Sequence, residues 1–228
     1  AKDIQPTRLE KAKLELSSLI DHLKQDRIGI VAFAGEAFIQ CPLTLDRSAV
    51  KLFLTTLSPS LIPTPGTMIG VAINVAIQAF TEKEKDYKAL ILLTDGEDQG
   101  SNPMQAAKKA KQNGVRIFTI GIGTADGSTV PGESAGEGVK KDRQGQIVIS
   151  KLDERLLKEI AYETQGAYYR SSGGELEIEG LIGEIRKMSQ KGLKSEKIFE
   201  YDENYQVFLI LAIILLLLEM ILSERKRV

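Results

Sequence analysis

The chain has 228 residues, with 30 Lys and Arg against 31 Asp and Glu, a single His and a single Cys. About 200 residues precede a hydrophobic tail, enough for one domain with a substantial core and too few for a second full domain. The basic residues are spread along predicted helices rather than gathered with aromatics, which argues against nucleic-acid binding. The lone Cys41 rules out an intrachain disulfide and reads as a small buried hydrophobe in a strand.

In chain order, apolar residues at helical spacing from Leu9 to Leu23 predict an amphipathic helix over Pro6 to Leu23, entered through Pro6 and Thr7. His22, on that helix with no motif around it, reads as a surface or helix-end residue. Arg27 to Ala34 and Ala37 to Leu43 predict a β-hairpin about a two-residue Gly35-Glu36 turn, after which Asp46 caps a helix over Arg47 to Leu57. Ser58 to Gly66 is a proline-rich loop, and Thr67 opens a helix reaching Phe80. Leu90 to Thr94 is a short apolar run of the kind that forms a buried parallel strand, so Asp95 emerges at its carboxyl end, where open α/β sheets bind ligands. A helix from Pro103 to about Asn113-Gly114 and a strand from Val115 to Ile122 continue the alternation. Residues 124–151 interrupt it as a glycine-rich insertion with a small hairpin turning at Arg143-Gln144-Gly145. Asp153 then caps a helix through Thr164, Ala167 to Arg170 is a last short strand, and Leu176 to Met188 an amphipathic helix.

The two ends carry their own signals. The chain opens on Ala1-Lys2-Asp3 without Met or an apolar signal segment, which reads as a fragment of a longer protein. A linker, 191–204, leads to an apolar stretch, 205–222, that as a helix would reach about 27 Å and is expected to span a bilayer. Glu219 lies near one end of it, Tyr201 and Tyr205 at the other, and the basic tail 223–228 points to a cytoplasmic C-terminus with the domain, 1–190, outside the cytoplasm. Lys191, Lys194 and Lys197 on the opposite flank weaken that orientation.

Taken alone, Thr67 reads as an N-cap and Asp95 with Gly96 as an Asx turn ahead of any ligand role, and Glu97 and Asp98 as solvated loop charges. In order, however, the segments RIGIVAFAGEAFIQCPLTLD, PTPGTMIG, KALILLTDGEDQG, NGVRIFTIGIG and LDERLLKEIAYETQGAYYR resemble the von Willebrand factor A (VWA) domains of bacterial membrane proteins, the aerotolerance-related Bat group above all. The resemblance runs from about Asp3 to the C-terminus. It implies a doubly wound, mostly parallel α/β sheet of Rossmann-like type with a C-terminal transmembrane helix. It also implies a metal-ion-dependent adhesion site drawing an Asp-x-Ser-x-Ser motif from the first strand, a threonine from a second loop and an aspartate from a third. By position Thr67 is that threonine and Asp95 that aspartate. The Asp-x-Ser-x-Ser segment is not in this sequence, and its place is just before Ala1, so the domain is expected to lack its first, central strand.

The cation implied is Mg²⁺ or another hard divalent ion, which takes about six oxygens. One position would be filled by a partner's carboxylate, making the metal a bridge; with only Thr67 and Asp95, binding here is expected to be weak at most. The function implied is a membrane-anchored interaction module with protein partners, MoxR-type AAA+ ATPases or other Bat proteins among them, in a stress or aerotolerance system. The alternatives are a membrane scaffold without a working metal site and a metal-dependent phosphoryl hydrolase using Asp95 and Asp98. No catalytic residue is assigned: there is no Gly-x-Ser-x-Gly elbow, no phosphate-binding Gly-x-x-x-x-Gly-Lys loop, and Gly121-Ile122-Gly123 lacks the third glycine of a dinucleotide fingerprint. Without a central strand, Ala1 to Asn204 alone is expected to fold poorly or aggregate.

Overall fold

The computed structural model describes residues 3–80, 87–124, 126–130, 138–139, 145–171, 179–188 and 205–223. Two compact units divide the chain, Ala1–Ser189 and Gln190–Val228.

In the first unit, α1 (Arg8–His22) begins where Thr7 Oγ1 accepts the Glu10 amide, half of a capping box, and His22 ends it on the exposed side. The strands β1 (Ile28–Phe33) and β2 (Ala37–Thr44) pair antiparallel with Phe33 opposite Ala37. The predicted two-residue turn is therefore a three-residue one, Ala34 to Glu36, closed by the Ala34 amide on the Glu36 carbonyl at 2.8 Å. Asp46 caps α2 (Arg47–Thr56) as expected, receiving the Ser48 and Ala49 amides. Next come α3 (Ile69–Ala79), β3 (Lys88–Thr94), α4 (Pro103–Gln112) and β4 (Val115–Gly121). The short pair β5 (Ser128–Thr129) and β6 (Ile149–Ser150) lies within the insertion, whose predicted turn at 143–144 lies outside the described residues. Asp153 caps α5 (Glu154–Glu163), and β7 (Tyr168–Arg170) and the helical residues 179–188 (α6) complete the unit.

β3, β4 and β7 form a parallel sheet in that order. The alternation along β4 shows why it is covered on both faces. Val115 and Ile117 join α3, α4 and α5 in one cluster around Ile69, Ile73, Ala107 and Ile160. Phe118 and Ile120 join α1 and α6 through Leu19, Leu181, Ile182 and Ile185 in another. A parallel sheet buried on both sides needs such continuous apolar strands. Gly166 is placed by close approach, since a Cβ there would run into the Ile117 carbonyl. Cys41 is buried at 2% exposure beside Val50 and Leu54, the small-hydrophobe role read for it, and burial raises its thiol pKa.

β1–β2 and β3–β4–β7 are separate sheets among the described residues, with no hydrogen-bonded ladder between β1 and β3. Between them lies a cleft of about 730 Å³.

The second unit contains α7 (Tyr205–Ser223), and the linker 191–204 and the tail beyond 223 lie outside the described residues. Among the described residues no helix is long and apolar enough to cross a membrane. The α7 side chains described, 209–219, are exposed, apolar from Leu209 to Leu218 and then Glu219.

Candidate functional site

The segment before α3 is bound to the loops at the carboxyl ends of both β1 and β3. The Met68 amide donates to the Ala34 carbonyl just beyond β1 (2.8 Å), and the Gln99 amide, just beyond β3, donates to the Thr67 carbonyl (2.9 Å). This brings Thr67 and Asp95 to the same end of the cleft, which both residues line. Gly96 follows Asp95 at φ +81°, where a Cβ would meet the Asp153 carbonyl, so only glycine lets β3 pass this close to the start of α5.

Thr67 does not cap α3. The N-cap position is Met68, which has no side-chain cap, and the capping groups come from the loop after β3 instead. Asp98 Oδ1 accepts the Ile69 amide at 2.9 Å and Ser101 Oγ the Gly70 amide at 2.6 Å. The Ser101 amide and hydroxyl both donate to Asp98. Asp98 and Glu97 are thus not merely solvated loop charges: Asp98 is the N-terminal cap of a helix distant in sequence, and Glu97 accepts the Lys151 amide at 2.7 Å. Replacing Asp98 with Ala is expected to lower stability by about 1–2 kcal/mol. In a thermal melt that loss should fall to roughly half in Asp98→Asn, which keeps one acceptor oxygen.

Asp95 has a cation beside it already. Arg8 Nη1 donates to Asp95 Oδ2 at 3.0 Å, while Ser150 Oγ donates to the same oxygen at 2.9 Å. The other bonds of the guanidinium run from Nε and Nη2 to the two oxygens of Asp3 (2.8 Å each), from Nη1 to Ser150 Oγ (2.7 Å) and from Nη2 to the Ser150 carbonyl (3.3 Å). All five N–H directions of an arginine are used. Asp3 also accepts the Thr124 amide and hydroxyl at 3.1 Å. The Arg8 hydrogen bonds, against a smaller opposing effect of burial, hold the Asp3 carboxyl down at about 2. Burial pulls the Arg8 pKa down, but hydrogen bonding and charge from Asp3, with Asp95 and Glu97 beyond, leave it above its ordinary value.

This network was not read from the sequence, although one signal was present. Arg8 is the first residue of α1, and a cation at a helix N-terminus opposes the helix dipole, so an acidic partner is required there. Ser150 and Thr124 come from the two ends of the insertion and carry no such signal.

The oxygen chemistry of Thr67 and Asp95 suits a hard divalent cation, but the residues present do not hold one by themselves. They offer two ligands of about six, and one Asp95 oxygen is occupied by Arg8 and Ser150. Among the described residues no group of three or more His, Cys, Asp or Glu is gathered to hold a metal. Thr67 and Asp95 both line the cleft but do not by themselves make a cation site.

The profile of the von Willebrand factor type A domain matches residues 1–177. The conserved hypothetical protein BatB of Bacteroides thetaiotaomicron superposes with a TM-score of 0.79 at 39% identity, over 83% of this chain and 92% of that one. An aerotolerance-related membrane protein of Bacteroides fragilis gives 0.78 at 39% identity, over 82% and 92%. A UPF0353 protein of Nocardia farcinica is 28% identical over 77% of this chain, and an uncharacterized protein of Borreliella burgdorferi 28% identical over 95%. The chain spans only 55% and 62% of those two relatives. Proximal thread matrix protein 1 of the mussel byssus, solved with a zinc-occupied adhesion motif, shares the fold alone, at 21% identity and a TM-score of 0.59. With most of its length matched by the domain profile and its sheet, helices and loops in common with the two Bacteroides structures, the chain belongs to the von Willebrand factor type A family, among relatives of the Bat, aerotolerance-related type.

Proposed function

We propose that the domain is a non-enzymatic interaction module, anchored in the cytoplasmic membrane by the stretch 205–222 and facing away from the cytoplasm, which captures a protein partner at the end of the sheet where Thr67 and Asp95 meet. The observation that carries this reading is the convergence of the loop before α3 and the loop after β3 on one carboxyl-end site lined by a hydroxyl and a carboxylate. Thr67 and Asp95 supply two ligands of a divalent cation, Mg²⁺ by chemistry, and the remaining oxygens come from outside the described residues. A partner carboxylate then completes the coordination. The partners proposed are MoxR-type ATPases or other Bat proteins, in a stress or aerotolerance system; the likeness to Bat-type proteins supports this reading. The anchor rests on the uninterrupted apolar sequence from Val207 to Leu218 between Tyr205 and the basic tail.

The test is capture of a purified MoxR-type ATPase from the same organism by the intact protein in detergent, with Mg²⁺ and with EDTA, for wild type and Asp95→Ala. Loss of about tenfold or more in affinity, roughly 1.4 kcal/mol, is expected from either treatment, with no further loss on combining them. Capture unchanged by both would remove the metal bridge and leave the alternative, a membrane scaffold. Capture lost on mutation but not in EDTA would make Asp95 a direct contact rather than a ligand.

A further inference from the structure

The guanidinium of Arg8 is shared unequally between two carboxylates. Asp3 takes Nε and Nη2, one on each of its oxygens at 2.8 Å, whereas Asp95 takes Nη1 alone, on Oδ2 at 3.0 Å. The first is the forked pairing that arginine makes best with a carboxylate; the second is a single point of attachment. Burial divides the same way: Asp3 is the more enclosed of the two acids, while Arg8, Thr67 and Asp95 all line the cleft. Asp3 already ties α1 to the insertion, because it also accepts the Thr124 amide and hydroxyl. Holding the first turn of α1 in place therefore does not require the Asp95 bond.

That bond nevertheless decides what Asp95 can do. Oδ2 accepts Arg8 Nη1 and Ser150 Oγ, which fills both of its lone-pair directions. Oδ1 is the less engaged oxygen, with the Glu97 amide at 3.3 Å and Thr94 Oγ1 at 3.5 Å. An external cation on Oδ2 would need a lone pair that Arg8 or Ser150 holds, and one on Oδ1 would sit within a few ångströms of the guanidinium, where like charges repel. We propose that Arg8 is a built-in competitor for Asp95, a tethered cation that keeps the carboxylate closed to external cations until Nη1 lets go of it. This competition presupposes Asp95 as a ligand, as proposed above, and regulates that same site. Release is local: Nε and Nη2 stay on Asp3, so the arginine remains paired while the Asp95 carboxylate rotates away from Nη1. The two cations are linked reciprocally, since the factor by which Arg8 weakens ion binding at Asp95 is the factor by which a bound ion weakens the Arg8 contact.

The probe is Mn²⁺, whose free form is counted directly by its paramagnetic resonance spectrum, titrated into the full chain in detergent. Wild type is compared with Arg8→Gln, Ser150→Ala, Asp95→Ala and the double variant Arg8→Gln with Asp95→Ala, each checked for folding by a thermal melt. Arg8→Gln is expected to bind Mn²⁺ about tenfold more tightly than wild type and Ser150→Ala about threefold, with no gain from Arg8→Gln once Asp95 is alanine. Equal affinity in wild type and Arg8→Gln overturns the proposal and leaves Asp95 as a ligand. Weaker binding by a folded Arg8→Gln also overturns it, because Arg8 would then be a positioning residue that presents Asp95. A gain that survives without Asp95 overturns it as a general effect of charge. If Arg8→Gln does not fold, Ser150→Ala decides, and unchanged affinity there overturns the proposal. Absence of Mn²⁺ binding from every protein removes the metal reading of Asp95 itself, and the competition with it.

Discussion

Replacing Arg8 with leucine is expected to lower the stability of the domain by about 2–3 kcal/mol at neutral pH, although the side chain is roughly conserved in volume. Arg8 is only 12% exposed and Asp3 only 7%, so the substitution removes the counter-charge of a largely buried carboxylate rather than a solvated surface pair. Asp95, at 23% exposure, loses one of its two strong donors at the same time. Lysine at position 8 should recover less than half of the loss, because an ammonium cannot reproduce the forked contacts to Asp3, Asp95 and Ser150. The pH dependence gives this prediction a second readout. Asp3 is lowered from 3.8 to about 2, so it contributes stability that is fully present above its unfolded pKa and lost as pH falls from 3.8 through 2. The gap between wild type and Arg8→Leu in urea melts should therefore be constant above about pH 5 and close progressively toward pH 2. A gap that persists undiminished in acid would mean that Arg8 acts through packing of its stem, not through its charge.

This ion-pair network also marks where the sequence stops being readable. The repeating elements are legible because each is announced locally: Asp46 and Asp153 cap the helices that follow them, Pro103 opens α4, and the unbroken apolar runs of β3 and β4 require a sheet buried on both faces. Asp95 is legible for the same reason, since its position at a strand's carboxyl end follows from the run before it. Asp98 is not, because its role is to cap a helix that starts 29 residues earlier in the chain, and no local pattern records that bond. The roles of Asp3, Thr124 and Ser150 depend on contacts across as many as 142 residues, set only once α1 and the insertion meet at the same end of the sheet. The hairpin between β1 and β2 shows a smaller version: Gly35-Glu36 suggests a two-residue turn, but Ala34 is drawn out of the ladder because its carbonyl receives the Met68 amide. Local signals therefore locate Asp95, Thr67 is singled out only by the family resemblance, and the groups that hold both loops in place are tertiary.

The larger effect is expected at the centre of the sheet. Replacing Phe118 with alanine should cost about 3–5 kcal/mol, a large fraction of the 5–15 kcal/mol by which a domain of this size is stable. Phe118 is 2% exposed on β4, the middle strand of β3–β4–β7, and packs into the cluster that α1 and α6 form with that face. Its removal leaves a cavity between the sheet and two helices, and α1 carries Arg8 to the site, so the damage should reach Asp95 as well. Phe53, 37% exposed on α2, provides the comparison: its truncation should cost about half as much as that of Phe118 or less, because more than a third of it stays in water on folding. In urea titrations of the full chain in detergent the Phe118→Ala midpoint should fall by roughly 2 M with an unchanged slope. Phe118→Leu should recover more than half of the loss, because it leaves a much smaller cavity. A midpoint for Phe118→Ala no lower than that for Phe53→Ala would mean that α1 and α6 do not cover this face of β4. The doubly wound arrangement, and with it the route by which Arg8 reaches Asp95, would then be wrong.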